Sequence, residues 1–274
     1  MRIHLPDRVT STLAGGRQAH VAAPSRRGPH VTPELYTWTG GALWFAAATT
    51  TVKAKVFDRD AAAAAAVRFD GRTVLFAGQV EVVDVRRPLG LITSPRRAVD
   101  LTRAVTRFAV RNAPDLVAFT GDAVTGKLGR RPSPARLLFR LDPDRAALVE
   151  NDAVTGAWGA WSAPTADAPT DVPAGGQPAM LALTGPVVLP GRWFPDEHRL
   201  HVAPALLALV GLADDGGGFP VGVVVDDYRA PGPAAKQGTL LRGEGRLERE
   251  TGWIAVDPGR LVTWDGIETA SEAV

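Results

Sequence analysis

Cysteine is absent from this 274-residue chain, which excludes disulfides, thiolate metal sites and cysteine nucleophiles. Lysine is nearly absent: only Lys53, Lys55, Lys127 and Lys236 stand among a large majority of arginines. No run of about 18 apolar residues occurs, so no transmembrane helix is expected. Neither charge sign is in large excess. The net charge is +2, and the pI near 9.3 reflects arginine outnumbering lysine, so no nucleic-acid partner is expected. Charges fill the Met1–Arg8 stretch where a signal peptide carries its apolar core, and a cytoplasmic protein is the simplest expectation. Catalytic signatures are missing too: there is no Gly-x-Ser-x-Gly elbow and no Gly-x-Gly-x-x-Gly fingerprint. Gly121–Leu128 approaches a phosphate-binding P-loop, but Leu128 stands where a magnesium-binding hydroxyl is needed. Five scattered histidines show no metal-ligand spacing beyond His198 and His201, and no metal is expected.

What remains is a globular composition, 45% hydrophobic and 22% charged, in a chain long enough for two domains. Gln18–Ala23, His30–Trp38 and Ala42–Ala48 read as short strands separated by Gly- and Pro-containing turns, a β-meander. Val52–Asp60 has helical character. The alanine run that follows would extend a helix on propensity alone. Asp70-Gly71 is a hairpin signal, however, and Arg72–Val83 alternates as a strand, so Ala61–Phe69 is read as its partner. Pro95–Gly129 has helical periodicity with a break near Asn112-Ala-Pro114. Arg136–Arg140 reads as a strand ending at Leu141-Asp-Pro143. Residues 153–180 have the composition of a linker, and Pro186–Gly266 returns to strands and turns.

The two parts echo one another in order. His30-Val-Thr-Pro33 is matched by His201-Val-Ala-Pro204. Arg72–Val83, with Gly78 inside it, is matched by Gly238–Glu248, with Gly243 inside it. Leu141-Asp-Pro-Asp-Arg145 is matched by Val256-Asp-Pro-Gly-Arg260. An internal duplication follows, the first copy enlarged by the helices of Pro88–Pro134. The expected domains are 1–152 with a helical insert about 95–130, a linker 153–180, and a second copy 181–274.

Two segments carry possible chemistry. After the apolar run Ala42–Ala48, the chain reads Thr49-Thr-Thr-Val-Lys-Ala-Lys55. Hydroxyls, helix-start N–H groups and ammonium groups can together hold a phosphate. The other reading is a threonine N-cap followed by solvated lysines. Arg86, Arg87, Arg96, Arg97, Arg103, Arg107 and Arg111 are accompanied by one acid, Asp100. The last three share a helix face, read either as solvated or as the contact for an acidic ligand tail or partner. Trp44 lies on the strand leading into the threonine segment.

These pieces in order — His30–Pro33, Glu34–Trp38, the Gly-Gly turn, Leu43-Trp-Phe45, the threonine turn with Lys53, the alanine strand and Val74–Asp84 — resemble the FMN-binding split-barrel proteins. That is the superfamily of pyridoxamine 5′-phosphate oxidase and its flavin- or deazaflavin-dependent relatives. The resemblance implies a mainly β fold with a helical insert (α+β), a split β-barrel internally duplicated in one chain. It implies FMN as cofactor, with deazaflavin coenzyme as the alternative. Thr49, Thr50, Thr51 and Lys53 are expected at the phosphate, and Thr32, Pro33 and Glu34 along the ring through their backbone. The arginine-rich strand and C-terminal substrate motif of the oxidase itself are not found. The expected activity is therefore a flavin-dependent oxidoreductase acting on an unidentified small molecule, with no catalytic side chain assigned. A non-catalytic flavin- or haem-binding barrel is the alternative. The resemblance also implies an interface for the cofactor, within the chain as a pseudo-dimer or in a homodimer. The second copy lacks an equivalent of Thr49–Lys53, so one site is expected per chain.

Overall fold

A computed structural model describes residues 3–83, 95–125, 136–164, 173–212, 216–228, 230–232, 236–248, 252–266 and 268–274. The strands are β1 (Gln18–Ser25), β2 (Gly28–Thr39), β3 (Ala42–Ala48), β4 (Ala62–Phe69), β5 (Arg72–Val83), β6 (Arg136–Glu150) and β7 (Ala153–Gly159) in the first copy. The second copy holds β8 (Gln177–Leu183), β9 (Val187–Phe194), β10 (Arg199–His201), β11 (Phe219–Tyr228), β12 (Lys236–Leu247), β13 (Trp253–Asp265) and β14 (Glu268–Ala273). In the first sheet the order is β3-β2-β1-β4-β5-β6-β7, and β3 also pairs with β6. That pairing closes six antiparallel strands into a barrel and leaves no free edge among them. The second sheet, β10-β9-β8-β11-β12-β13-β14 with β10 on β13, repeats the arrangement strand for strand. The chain is an internally duplicated split barrel.

Two of the three sequence echoes fall at equivalent places. Both barrels carry a bulge, between Ala77 and Gly78 in one and between Arg242 and Gly243 in the other. Gly78 sits opposite Pro143 and Gly243 opposite Pro258, so both Asp-Pro pairs are the far sides of bulges, and β6, expected to end at Leu141-Asp-Pro143, continues to Glu150. The His201–Pro204 echo is displaced. His30 lies in β2, whose counterpart is β9, whereas His201 ends β10, the counterpart of β3.

The six-alanine run forms β4 because both of its faces are covered. Ala63, Ala65 and Val67 fill the first barrel with Phe45, Phe76 and Phe139. Ala64 and Ala66 instead join Ala22, Val31, Leu75 and Ala147 against Leu181, Leu189 and Val224 of the second barrel. Small side chains let two sheets approach, and that tertiary fit outweighs alanine's helix propensity. The seam is two-fold in pattern: β2 packs on β11 and β12, and β9 packs on β4 and β5.

The predicted linker is shorter in the structure, since β7 pairs with β6 and β8 begins at Gln177. Five α-helices and a 3-10 turn (Pro195–Glu197) complete the described chain; the α-helices are α1 (Asp7–Gly15), α2 (Val52–Phe57), α3 (Pro95–Arg111), α4 (Ala113–Val124) and α5 (Pro204–Leu209). α1 and α5 have no counterpart in the sequence expectations. Val9 and Leu13 of α1 join the first barrel core. α3 and α4 form the insert, broken at Asn112 as expected, where the side-chain amide donates to the carbonyls of Tyr36 (3.2 Å) and Phe108 (2.9 Å). Asp115 of α4 reaches the second barrel. It accepts from the Tyr228 hydroxyl at 2.7 Å and the Gly232 N–H at 3.1 Å, with the Lys236 ammonium 3.5 Å away. No helix among the described residues is long and apolar enough to cross a membrane.

Arg111 departs from the solvated reading. Its guanidinium donates to the carbonyls of Ala14 (2.7 Å), Leu13 (3.1 Å) and Gly16 at the C-terminal end of α1, and lies 4.7 Å from the Tyr36 ring centre. A cation there satisfies orphan carbonyls and complements the helix dipole. Arg111→Ala is expected to cost about 2 kcal/mol in urea unfolding. Arg111→Lys should recover only part of that, because an ammonium cannot fork to three carbonyls. Arg107 lines a cavity of about 500 Å³ with Trp38, Thr37 and Thr10, and Arg103 lies beside Asp100 and Trp44. Arg86 and Arg87, the side chains of Arg96 and Arg97, and residues 126–128 of the P-loop-like segment lie outside the described residues.

Candidate functional site

His30, Thr32 and Glu34 alternate along β2 and therefore share one face of the strand. Opposite them, α2 closes over the barrel with Ala54, Val56 and Phe57 in the core. This helix begins at Thr51, whose hydroxyl accepts from the Ala54 N–H at 3.3 Å and donates to the Ala48 carbonyl at 2.8 Å. Both roles are those of an N-cap. Lys53, in the first turn, is 1% exposed. Its ammonium donates to the Thr32 hydroxyl and to a Glu34 carboxylate oxygen, while Thr32 and Glu34 lie 3.2 Å apart. Burial pushes the Lys53 pKa down, and Glu34 works against that.

The expected site residues therefore divide. Thr32 and Glu34, both half-buried, meet the buried Lys53 in one cluster. Pro33 lies between Thr32 and Glu34, opposite His20 in the β1 register. Thr51 is engaged in the cap. Thr50 is exposed and Thr49 half-buried in the turn after β3, and neither is in contact with the cluster through a hydrogen bond. The second copy has Val202-Ala203-Pro204-Ala205 at the corresponding β10–α5 turn, with no hydroxyl and no cation.

Sequence reasoning missed Arg242. It lies on β12 of the second barrel, 9% exposed, and its guanidinium donates to Nδ1 of His30. Because arginine only donates, His30 must accept there, which fixes the neutral ring with its proton on Nε2. Burial, then Lys53, then Arg242 hold the His30 pKa well below 6.5. Among the described residues the Arg242 Nε has no hydrogen-bond partner. Burial and the neighbouring Arg260 and Arg27 all push its pKa down. A charged residue inside the alternating run Leu240-Leu-Arg-Gly243 was the available signal.

A second polar contact crosses the seam at His20 and Asp226, 2.7 Å apart. Burial alone would raise the Asp226 carboxyl, but His20 and Arg68 beside it hold it below the usual range. The pH dependence follows from His30. The unfolded chain takes up a proton near pH 6.5, whereas the folded chain does not. Stability should therefore fall on acidification below about pH 6.5, by up to about 1.4 kcal/mol per pH unit for this group. Thermal unfolding from neutral to mildly acidic pH should show that slope, and His30→Gln should flatten it.

Trp44 is a packing residue. It is 4% exposed, with its indole N–H donating to the Thr39 carbonyl at 3.3 Å and the Arg140 guanidinium 5.6 Å from its ring centre. Among the described residues no group of three or more potential ligands gathers for a metal ion.

No family model matches this chain. No curated protein matches it either. Solved structures similar to one half of it include a pyridoxamine 5′-phosphate oxidase-related, FMN-binding protein from Nostoc punctiforme. That protein is 14% identical, with 54% of this chain and 86% of the other covered at a TM-score of 0.37. A conserved hypothetical protein from Mycobacterium tuberculosis is 17% identical over 54% and 87%, at a TM-score of 0.37. A FAD-binding protein from Mesorhizobium loti is 13% identical over 54% and 97%, at a TM-score of 0.34.

Proposed function

We propose that this chain is a flavin-dependent oxidoreductase, binding one FMN-type cofactor where β2 of the first barrel meets the second barrel. The observation that carries this reading is the meeting of Lys53, Thr32, Glu34, His30 and Arg242 at that junction, four from one copy and one from the other. The residues fit an anionic cofactor. Lys53 and Arg242 are both cations, His30 is neutral, and Glu34 offsets one charge. The buried Nε of Arg242 is left without an acceptor, as a site built for an oxyanion requires.

In this reading the backbone of Thr32, Pro33 and Glu34 borders the ring, and the Thr49–Thr51 turn with Lys53 lies at the phosphate end. The cofactor supplies the hydride chemistry when bound, and the protein supplies orientation and a dry pocket. Lys53 and Glu34 hold β2 against α2, so the strand bordering the ring is fixed before binding. Buried apolar side chains of both barrels, among them Val31, Leu181 and Val224, pack together in one core at the seam. The intrachain pair of barrels takes the place of a dimer interface, and the substrate is a small organic molecule.

The test is spectroscopic. Protein purified from cells should carry, or bind on titration, FMN with a flavin absorbance band, and mass spectrometry of released material should identify it. Riboflavin, lacking the phosphate, should bind at least about tenfold more weakly. A colourless protein that takes up deazaflavin instead reassigns the cofactor. A Soret band reassigns it to haem. Bound flavin that no reductant turns over makes the chain a carrier.

A further inference from the structure

Three arginines in the described residues leave a buried Nε without a partner: Arg140, Arg145 and Arg242. The first two have carboxylates beside them, Arg140 with Asp142 at 2.8 Å and Arg145 with Asp144 at 3.4 Å. Arg242 has none. Among the described residues its hydrogen-bonded neighbour is the neutral His30 ring, and the charges that act on it, Arg260 and Arg27, have its own sign. Arg260 stands opposite it in the β12–β13 register, and Arg27 lies in the hairpin between β1 and β2. The backbone there is close. A Cβ at Gly222, the residue opposite Arg242 on β11, would lie 2.8 Å from the Pro29 carbonyl.

A buried charge without a counter-charge is costly, and a fold keeps one only where something supplies the opposite sign. We propose that Arg242, with Arg260, Arg27 and the His30 ring, forms an oxyanion-binding site to which the second barrel contributes the central residue. The second copy is thereby a partner in binding and not only scaffold. The guanidinium presents a planar fork of donors, the geometry that matches a phosphate monoester or a carboxylate. With three cations gathered, a doubly charged phosphoryl group is the best match. Arg242 also enters the flavin reading, but this inference rests on the charge imbalance of the chain itself and not on flavin being the ligand.

The test uses the full chain in a low-salt buffer free of phosphate, with inorganic phosphate as the probe. Phosphate should raise the melting temperature and bind measurably by calorimetry. Arg242→Gln should weaken it at least tenfold, and Arg260→Gln, at a half-buried position, should weaken it less. The apo protein supplies a second readout: Arg242→Gln should melt at or above the wild-type temperature, since it removes an uncompensated charge. An arginine serving structure alone would give the opposite shift. The two sources of a phosphoryl group separate by competition. Phosphate displaced by FMN but not by riboflavin belongs to the cofactor, and phosphate that binds alongside FMN marks a subsite for the substrate. Failure of FMN to bind, with phosphate binding intact, defeats the flavin reading alone. Absence of phosphate binding, or binding that Arg242→Gln and Arg260→Gln leave unchanged, overturns the site.

Discussion

Replacing Lys53 by methionine is expected to lower folding stability by about 3 kcal/mol and, if flavin binds as proposed, to weaken it by at least about tenfold. The stability loss follows from what is left behind. Lys53 is enclosed, and its ammonium satisfies both Thr32 and Glu34. Removing it strands a largely buried carboxylate, which costs more than the pair contributes over an apolar substitute. The double variant Lys53→Met with Glu34→Met separates the two effects. Without either charge, the barrel should regain much of the lost stability. Cofactor affinity should remain low, because the cation is still missing. Chemical denaturation and flavin titration of the three proteins measure both quantities. A single variant that keeps wild-type affinity would remove Lys53 from the site, and a double variant no more stable than the single would remove the pair argument.

Gly78→Ala and Gly243→Ala should each cost about 3 kcal/mol, and by similar amounts. The added Cβ at Gly78 would fall 2.1 Å from the Asp142 carbonyl oxygen, and that at Gly243 would fall 2.0 Å from the Asp257 carbonyl oxygen. The obstacle in both cases is backbone, which cannot rotate aside as a side chain can. The bulge opposite each Asp-Pro pair therefore admits only glycine without rearranging the strand. Gly121→Ala is the natural control, because it lies in α4 with nothing within 4 Å of the new methyl. That substitution should stabilise by about 0.5–1 kcal/mol through helix propensity. Urea midpoints of the three variants decide the matter. A Gly243→Ala protein within about 0.5 kcal/mol of wild type would mean that the second bulge is not the equivalent of the first.

Much of the fold was open to a reading of residues, for reasons that differ by element. β3 and β5 have the bounds their patterns predict, because alternation and turn residues agree there. The alanine strand was legible only through its neighbours, Asp70-Gly71 and the strand beyond. α1 was not legible. Asp-Arg-Val-Thr-Ser-Thr-Leu has poor helix propensity, and the helix exists because Val9 and Leu13 enter the barrel core and Arg111 meets its carbonyl end. The Leu-Asp-Pro segment misled because proline usually stops a strand, whereas a bulge accommodates it. At the site, Lys53 stood out by rarity and position. Its partner Glu34 and the Arg242 contact depend on pairings across many residues, which local pattern does not encode.

The closed, twice-repeated barrel has a consequence for how its halves are held together. Two separate subunits would find one another only above their dissociation constant, and their contact would fail on dilution. Here the chain that runs from Gly159 to Gln177 makes the encounter a first-order event, at an effective concentration on the order of millimolar. The contact between halves can then include an unneutralised arginine without the assembly falling apart. Equivalence is also relaxed. In a symmetric dimer every substitution enters twice, but in this chain Lys53 has Ala205 in its corresponding position and each half changes alone.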